Sequence, residues 1–224
     1  MTTNEWVDWH RQYDQGDRLL AGRLMAVQQR IREAVDRCPP GPIALISACA
    51  GDGRDVIGAL DGHPRAPDVR ARLVELTPEI AESARSRVDH QGLTGFDVVT
   101  GDASFTTAYA GAVPARVVLV CGVFGNITND DLRNTIDHLP ELCARDATVI
   151  WTRGRFAPDL TPTIRGWFRD AGFEELAFDA IPDSTASVGA NRFVGEPRPF
   201  QPGVRLFTFL PKEERPSQRG QPKA

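Results

Sequence analysis

The chain has 224 residues, enough for one good-sized domain whose core needs neither disulfides nor a structural metal. Hydrophobic residues make up 41% and charged residues 25%, which excludes wholesale disorder. Acidic residues outnumber basic ones, 30 to 26, and the net charge of −4 argues against a nucleic-acid or anionic-membrane surface.

The opening stretch MTTNEWVDWHRQYDQ carries no apolar signal core, and no run approaches the ~18 apolar residues of a membrane span. A cytoplasmic protein with reduced thiols is expected. Lysine occurs only at positions 212 and 223, and this preference for Arg, with abundant Ala, Gly and Pro, points to a GC-rich bacterial genome. The four cysteines, Cys38, Cys49, Cys121 and Cys143, show no CxxC or Cys/His spacing, so no metal site is expected.

Residues 4–13 place Trp6, Trp9, His10 and Tyr13 at helical spacing. After a break at 14–17, residues 17–37 carry Leu20, Leu24, Val27, Ile31 and Val35 on one face, an amphipathic helix that CPPG at 38–41 stops. Residues 1–41 are expected to form a helical lid. The pattern then changes to short apolar runs separated by helices. IALISAC (43–49) reads as a doubly buried strand, and a Gly-rich turn leads into a short helix with Val56, Ile57 and Leu60.

VRARLVEL (69–76) is the second strand, followed by a helix with Thr77 as cap and Pro78 at its first position. FDVVT (96–100) is the third strand, 104–109 a turn or short helix, and VVLVCGV (117–123) the fourth strand. A helix at 128–144 precedes a fifth strand, TVIWT (148–152), and a helix at 161–171 is ended by Gly172. The last two strands are read at 173–181 and 204–210, joined by a Gly/Pro-rich connection at 182–203. The polar tail at 211–224 is expected to be disordered.

Strands alternating with helices imply right-handed βαβ units and a parallel sheet covered on both faces. The final pair of strands, with no helix between them, forces one strand antiparallel. The fold class is therefore α/β, an open, doubly wound, seven-stranded and mostly parallel sheet with N-terminal helices, spanning 42–210. Ligands in such sheets bind at the carboxyl ends of the strands.

Those ends carry a pattern. The first turn is Ser47-Ala48-Cys49-Ala50-Gly51-Asp52-Gly53-Arg54-Asp55, where small residues let a ligand approach the backbone. Glu75 follows Gly53 by 22 residues at the end of strand two, placed to accept ribose hydroxyls. Gly101-Asp102-Ala103 ends strand three and Cys121-Gly122-Val123-Phe124-Gly125-Asn126 follows strand four. Together these describe a slot for a nucleoside.

The motifs CAGDGRD, LVELTP, GDA, CGVFGNI and VIWTR, in this order, resemble the class I S-adenosylmethionine-dependent methyltransferases, and an uncharacterised bacterial subgroup of them in particular. The resemblance implies the strand order 3-2-1-4-5-7-6. It implies S-adenosylmethionine as cofactor, with Ala50, Gly51 and Gly53 against its methionine arm, Glu75 and Leu76 at the ribose, and Asp102 and Ala103 at the adenine. Cys121, Gly122 and Asn126 would border it beside strand four.

Two positions depart from the family: Ser47 stands where its acidic residue is usual, and Cys49 where its first glycine is. Asp52 or a residue of the N-terminal helices is expected to take over from the missing carboxylate.

The expected reaction is methyl transfer to a small-molecule acceptor, through an oxygen nucleophile, because CGVFGN lacks the proline-rich signature that marks many amino-group methyltransferases. The acceptor is expected beside Trp9, Tyr13, Phe124, Arg153 and Arg155, under a roof that also includes Phe193 and Phe200 from the 182–203 connection. His10 and Tyr13 are the candidates for a catalytic base. Two other readings stay open. One is a non-catalytic cofactor-binding domain, favoured by Ser47. The other is a nicotinamide-dependent oxidoreductase, opposed by the missing GxGxxG spacing.

Overall fold

The structure is a computed structural model that describes residues 18–215. The lid and catalytic candidates Trp9, His10 and Tyr13, with Trp6, lie outside the described residues.

Seven strands form one sheet: β1 (Ile43–Ala48), β2 (Val69–Glu75), β3 (Phe96–Thr100), β4 (Ala115–Val120), β5 (Cys143–Gly154), β6 (Phe173–Ala180) and β7 (Ala186–Phe193). Their order is 3-2-1-4-5-7-6, as the resemblance implies. The first five are parallel, and β7 runs antiparallel to both β5 and β6. Period-two alternation sends Ile43 and Leu45 to one face and Ile46 and Ala48 to the other, which divides the core in two.

On one face lie α1 (Arg18–Arg37), α2 (Arg54–Leu60) and α3 (Pro78–His90), over Leu45, Leu73, Leu119 and Ile150. On the other lie α4 (Asn129–Leu142) and α5 (Thr161–Asp170), over Val118, Val149 and Trp151.

The structure corrects several sequence expectations. Helix α1 does not sit apart as a lid. Its Val27, Ile31 and Val35 are core residues. Gln28 and Arg32 donate to the Arg54 and Gly58 carbonyls of α2, each at 2.9 Å, and Arg30 grips Asp179 of β6 with two bonds of 2.6 and 2.7 Å.

The last strand of the sheet is Ala186–Phe193, inside the segment expected to be an irregular connection. Its small residues have a packing reason: a Cβ at Gly189 would fall within the indole of Trp151 on the adjoining strand. The apolar run at 204–210 makes only isolated bridges, Phe105 with Arg205 and Ile127 with Phe209, and buries Leu206 and Phe207 against the α4 side. Order also continues past residue 210, through a short 3₁₀ turn (Lys212–Glu214) to the buried Arg215, whose Nε donates to the Leu210 carbonyl at 3.0 Å.

Candidate functional site

The parallel strands β1–β4 all end at the same edge, and the turn after β1 is the tightest feature there. Within five residues the backbone takes positive φ three times, at Cys49 (53°), Gly51 (59°) and Gly53 (71°). Glycine adopts this region freely, whereas Cys49 does so at a cost of about 1–2 kcal/mol. A Cβ at Gly53 would also press on the side-chain ends of Ile57, 2.8 Å from its Cδ1, and Leu73, 3.1 Å from its Cδ1. The Ala50 amide donates to the Val74 carbonyl at 2.9 Å, which ties the turn to β2.

Glu75, at the tip of β2, is 8% exposed and lies against that turn. The Gly51 amide donates to its Oε2 at 3.0 Å and the Thr77 amide to its Oε1 at 2.8 Å. Burial pushes its carboxyl above the ordinary value, against the pull of the Thr77 and Gly51 amides. An ionised carboxylate has about four acceptor positions. The two amides take one position on each oxygen, and with the Thr77 side chain and Leu76 backbone, which also favour its charged form, they orient the group. Thr77 precedes α3 but makes no side-chain cap there, contrary to the sequence reading; its amide serves Glu75 instead.

Asp102, beyond the end of β3, is exposed, and its Oδ1 accepts the Ser104 amide at 2.9 Å. Ala103 beside it is buried, its carbonyl accepting the Tyr109 hydroxyl at 2.6 Å. Electrostatics shows how close the three tips are. The Cys49 thiol is raised first by burial and then by the charges of both Glu75 and Asp102, and the buried Tyr109 hydroxyl is raised by burial, Cys49 and Asp102. The ends of β1, β2 and β3 therefore converge on one place. Leu76, next to Glu75, leaves its side chain 62% exposed there, an apolar surface beside a carboxylate.

The end of β4 closes the other side. Gly122 has φ 74°, its amide donates to Thr152 Oγ1 on β5 at 2.8 Å, and its carbonyl accepts Asn126 Nδ2 at 2.6 Å. Burial raises the Cys121 thiol, so neither Cys121 nor Cys49 is a thiolate at neutral pH; both act as small hydrophobes.

The acceptor-side expectations fare differently. Phe124 is fully buried, its ring centroid 5.9 Å from that of Trp151 and 6.3 Å from that of Phe168, so it belongs to the core and lines no substrate space. Arg153 is turned inward and donates to the Phe124 carbonyl, and burial lowers its guanidinium pKa. Arg155 is half-buried and donates to the Ser184 carbonyl at 2.6 Å. Phe193 lies at the opposite end of the sheet, beside Phe173 at 4.9 Å, away from any roof over the strand tips.

Asp52, one candidate to take over from the missing carboxylate, is engaged by arginines. Its Oδ2 pairs with Arg54 at 2.6 Å and with Arg87 of α3 at 3.2 Å. Sequence reasoning also missed Tyr109 and Thr152, which support the site through single hydrogen bonds that leave no pattern in the chain.

No family model matches the sequence, and no curated protein matches it. Solved structures do match. An O-methyltransferase family protein from Burkholderia thailandensis has a TM-score of 0.59 and 17% identity, over 75% of this chain and 55% of that one. The chain thus spans little more than half of that protein. Magnesium protoporphyrin IX methyltransferase from Synechocystis PCC 6803, with bound SAH, has a TM-score of 0.63 and 15% identity, over 84% of this chain and 94% of that one. An N-methyltransferase from Bradyrhizobium japonicum WM9 has a TM-score of 0.59 and 12% identity, over 80% and 99%. At these identities the likeness is one of fold. No helix among the described residues is long and apolar enough to cross a membrane.

Proposed function

We propose that the protein is an S-adenosylmethionine-dependent methyltransferase acting on a small-molecule acceptor through an oxygen nucleophile. The observation that carries this reading is the convergence of the Gly51 turn, Glu75 and Asp102 at one edge of the sheet. Their chemistry suits an adenosyl group: a carboxylate to accept ribose hydroxyls, a second carboxylate with an unused Oδ2 for an exocyclic amine, and exposed Leu76 for an apolar ring face.

In this reading the turn at 49–53 and Gly122 border the sulfur-bearing arm, where Gly51, Gly53 and Gly122, having no side chains, admit a close ligand. When bound, the cofactor supplies a methyl group activated by a sulfonium. The protein's part is to hold that group in line with the acceptor and exclude water. Alignment of this kind is worth roughly 7–11 kcal/mol, whereas one general base adds about 10²–10⁴-fold. The oxygen nucleophile is favoured because CGVFGN after β4 lacks the proline-rich signature of many amino-group methyltransferases. Arg155, at the end of β5, is the cation best placed to meet a polar acceptor.

Two measurements test this. A thermal-shift series with S-adenosylhomocysteine (SAH) and with NADH should show stabilisation by SAH alone, following RT ln(1 + [L]/Kd). Stabilisation by NADH alone overturns the reading. Transfer of labelled methyl groups to a panel of small hydroxyl compounds then separates an enzyme from a binding domain, and SAH binding without any turnover favours the latter.

A further inference from the structure

Two polar groups beside the strand tips have no role in the site described above. Ser47, near the end of β1, is 1% exposed, and its Oγ has no hydrogen-bond partner among the described residues. It shares the face of α1 and α2, since Leu45, two residues earlier, packs against them. In register it stands beside Leu119 of β4, and Cys121 lies two residues further along on the same face.

Asp55, in the first turn of α2, is the second group. Its Oδ1 accepts the Val56 amide at 2.7 Å, and among the described residues it forms no ion pair. Its charge is felt by the Cys121 thiol, so the carboxylate lies close to the end of β4, on the same side as Ser47. A buried hydroxyl without a partner and a desolvated carboxylate with no ion pair each cost free energy unless something completes them, and Arg23 of α1 offsets only part of the cost at Asp55.

The ligand proposed above carries, besides its nucleoside, an amino-acid arm with one ammonium and one carboxylate. Each of the other carboxylates at this edge is engaged. Glu75 and Asp102 face the nucleoside, and Asp52 is held by Arg54 and Arg87. Asp55 remains. An alkylammonium has three donors, enough for a carboxylate and a hydroxyl together.

Resting on the methyltransferase reading, we infer that Asp55 binds the α-ammonium group of the cofactor's amino-acid arm, with the Ser47 hydroxyl as second acceptor. The pair does the work of the carboxylate that Ser47 displaces. The groups that face Asp55 are Arg23 of α1, Asp52 in the turn and Cys121 just past the end of β4. Burial and Asp52 push its carboxyl up to about 6, while the Val56 amide and Arg23 pull it down.

The test is calorimetric binding of SAH and of 5′-methylthioadenosine, which keeps the nucleoside and sulfur but has no amino-acid arm. In Asp55→Asn, SAH should bind roughly ten- to a hundredfold more weakly, the size of a lost charge-assisted bond, while methylthioadenosine affinity stays within twofold. Ser47→Ala should lose only a few-fold for SAH. Unliganded Asp55→Asn should also melt at a higher temperature at pH 7, the opposite of what a helix-capping aspartate would give.

A series on the unmodified protein keeps the test independent of any variant's folding. SAH affinity should fall as the pH drops through about 6, and methylthioadenosine affinity should fall less. Equal losses for both ligands in Asp55→Asn, or no loss of SAH, overturn the inference while leaving the methyltransferase reading intact. If the unmodified protein binds neither ligand, the reading fails and the inference with it.

Discussion

The two halves of the sheet are built to different ends. Around β5, β7 and α5 the interior is aromatic and closely packed. Trp151 stacks on Phe168 at 5.6 Å, Phe168 meets Phe173 edge-on at 5.4 Å, and the indole Nε1 donates to Asn191 Oδ1 at 2.8 Å. The tips of β1–β4 carry other features: positive φ at Cys49, a buried Glu75, and, among the described residues, a Ser47 hydroxyl with no hydrogen-bond partner and an Asp55 with no ion pair.

Asp55 shows the cost of the second design. A folded-state pKa raised from 3.8 to about 6 means the native state holds a proton that the unfolded chain has released, so stability falls as pH rises across that window. The loss is fully expressed above pH 6 and amounts to roughly 3 kcal/mol. One half of the molecule is held by packed rings, and on the proposed reading the polar groups of the other are completed by a ligand.

The comparison breaks most visibly at Trp151. Truncation to alanine should cost about 3–5 kcal/mol in urea denaturation, because the cavity lies among aromatic rings that cannot all collapse into it. SAH affinity of the surviving native fraction should change less than threefold. The alternative outcome is informative: Phe124 packs on Trp151 and belongs to the segment that follows β4, so a parallel loss of binding would mean that the halves are coupled through that ring.

Glu75→Gln should show the reverse profile. If Glu75 binds the nucleoside as proposed, replacing the carboxylate removes a charged acceptor and should weaken SAH binding by about 1.5–3 kcal/mol. Stability should move less, since the relief of a desolvated charge opposes the loss of one of the two amide bonds from Gly51 and Thr77. SAH and methylthioadenosine should lose equally here, unlike in Asp55→Asn. A large fall in melting temperature with intact affinity would make Glu75 a strut of the turn and nothing more.

The same contrast explains what could be read from the chain. The β1–β4 half was legible because its strands are continuous apolar runs and its tips carry small and acidic residues at intervals set by the βαβ unit. The β5–β7 half was misread where packing reverses the usual signals. Ala186–Phe193 looks irregular because Gly189 and its small neighbours make room for Trp151, a partner 38 residues away in sequence. The segment 204–210 has the strand-like pattern, yet two of its apolar side chains serve the α4 layer.

At the strand tips, the placement of Gly51, Gly53, Glu75 and Asp102 at one edge of the sheet followed from spacing. The fate of Phe124, Arg153 and Asp52 did not, because burial and ion pairing depend on which way a loop turns its side chains.

The smallest expected effect marks the boundary between the halves. Helix α4 begins directly after the β4 segment that borders the site, and Thr128 Oγ1 caps it by accepting the Asp131 amide at 3.0 Å. Thr128→Ala leaves that amide without its partner and should cost about 1 kcal/mol in denaturation. The helix start is also fixed by the fully buried Leu132 and by Asp131, whose Oδ2 accepts the Thr208 amide at 2.9 Å. With those anchors kept, residues 121–126 should hold their place and SAH affinity should be unchanged. A measurable loss of binding would show that the tip of β4 is positioned by the helix behind it, and that order at the site is borrowed from the packed half of the sheet.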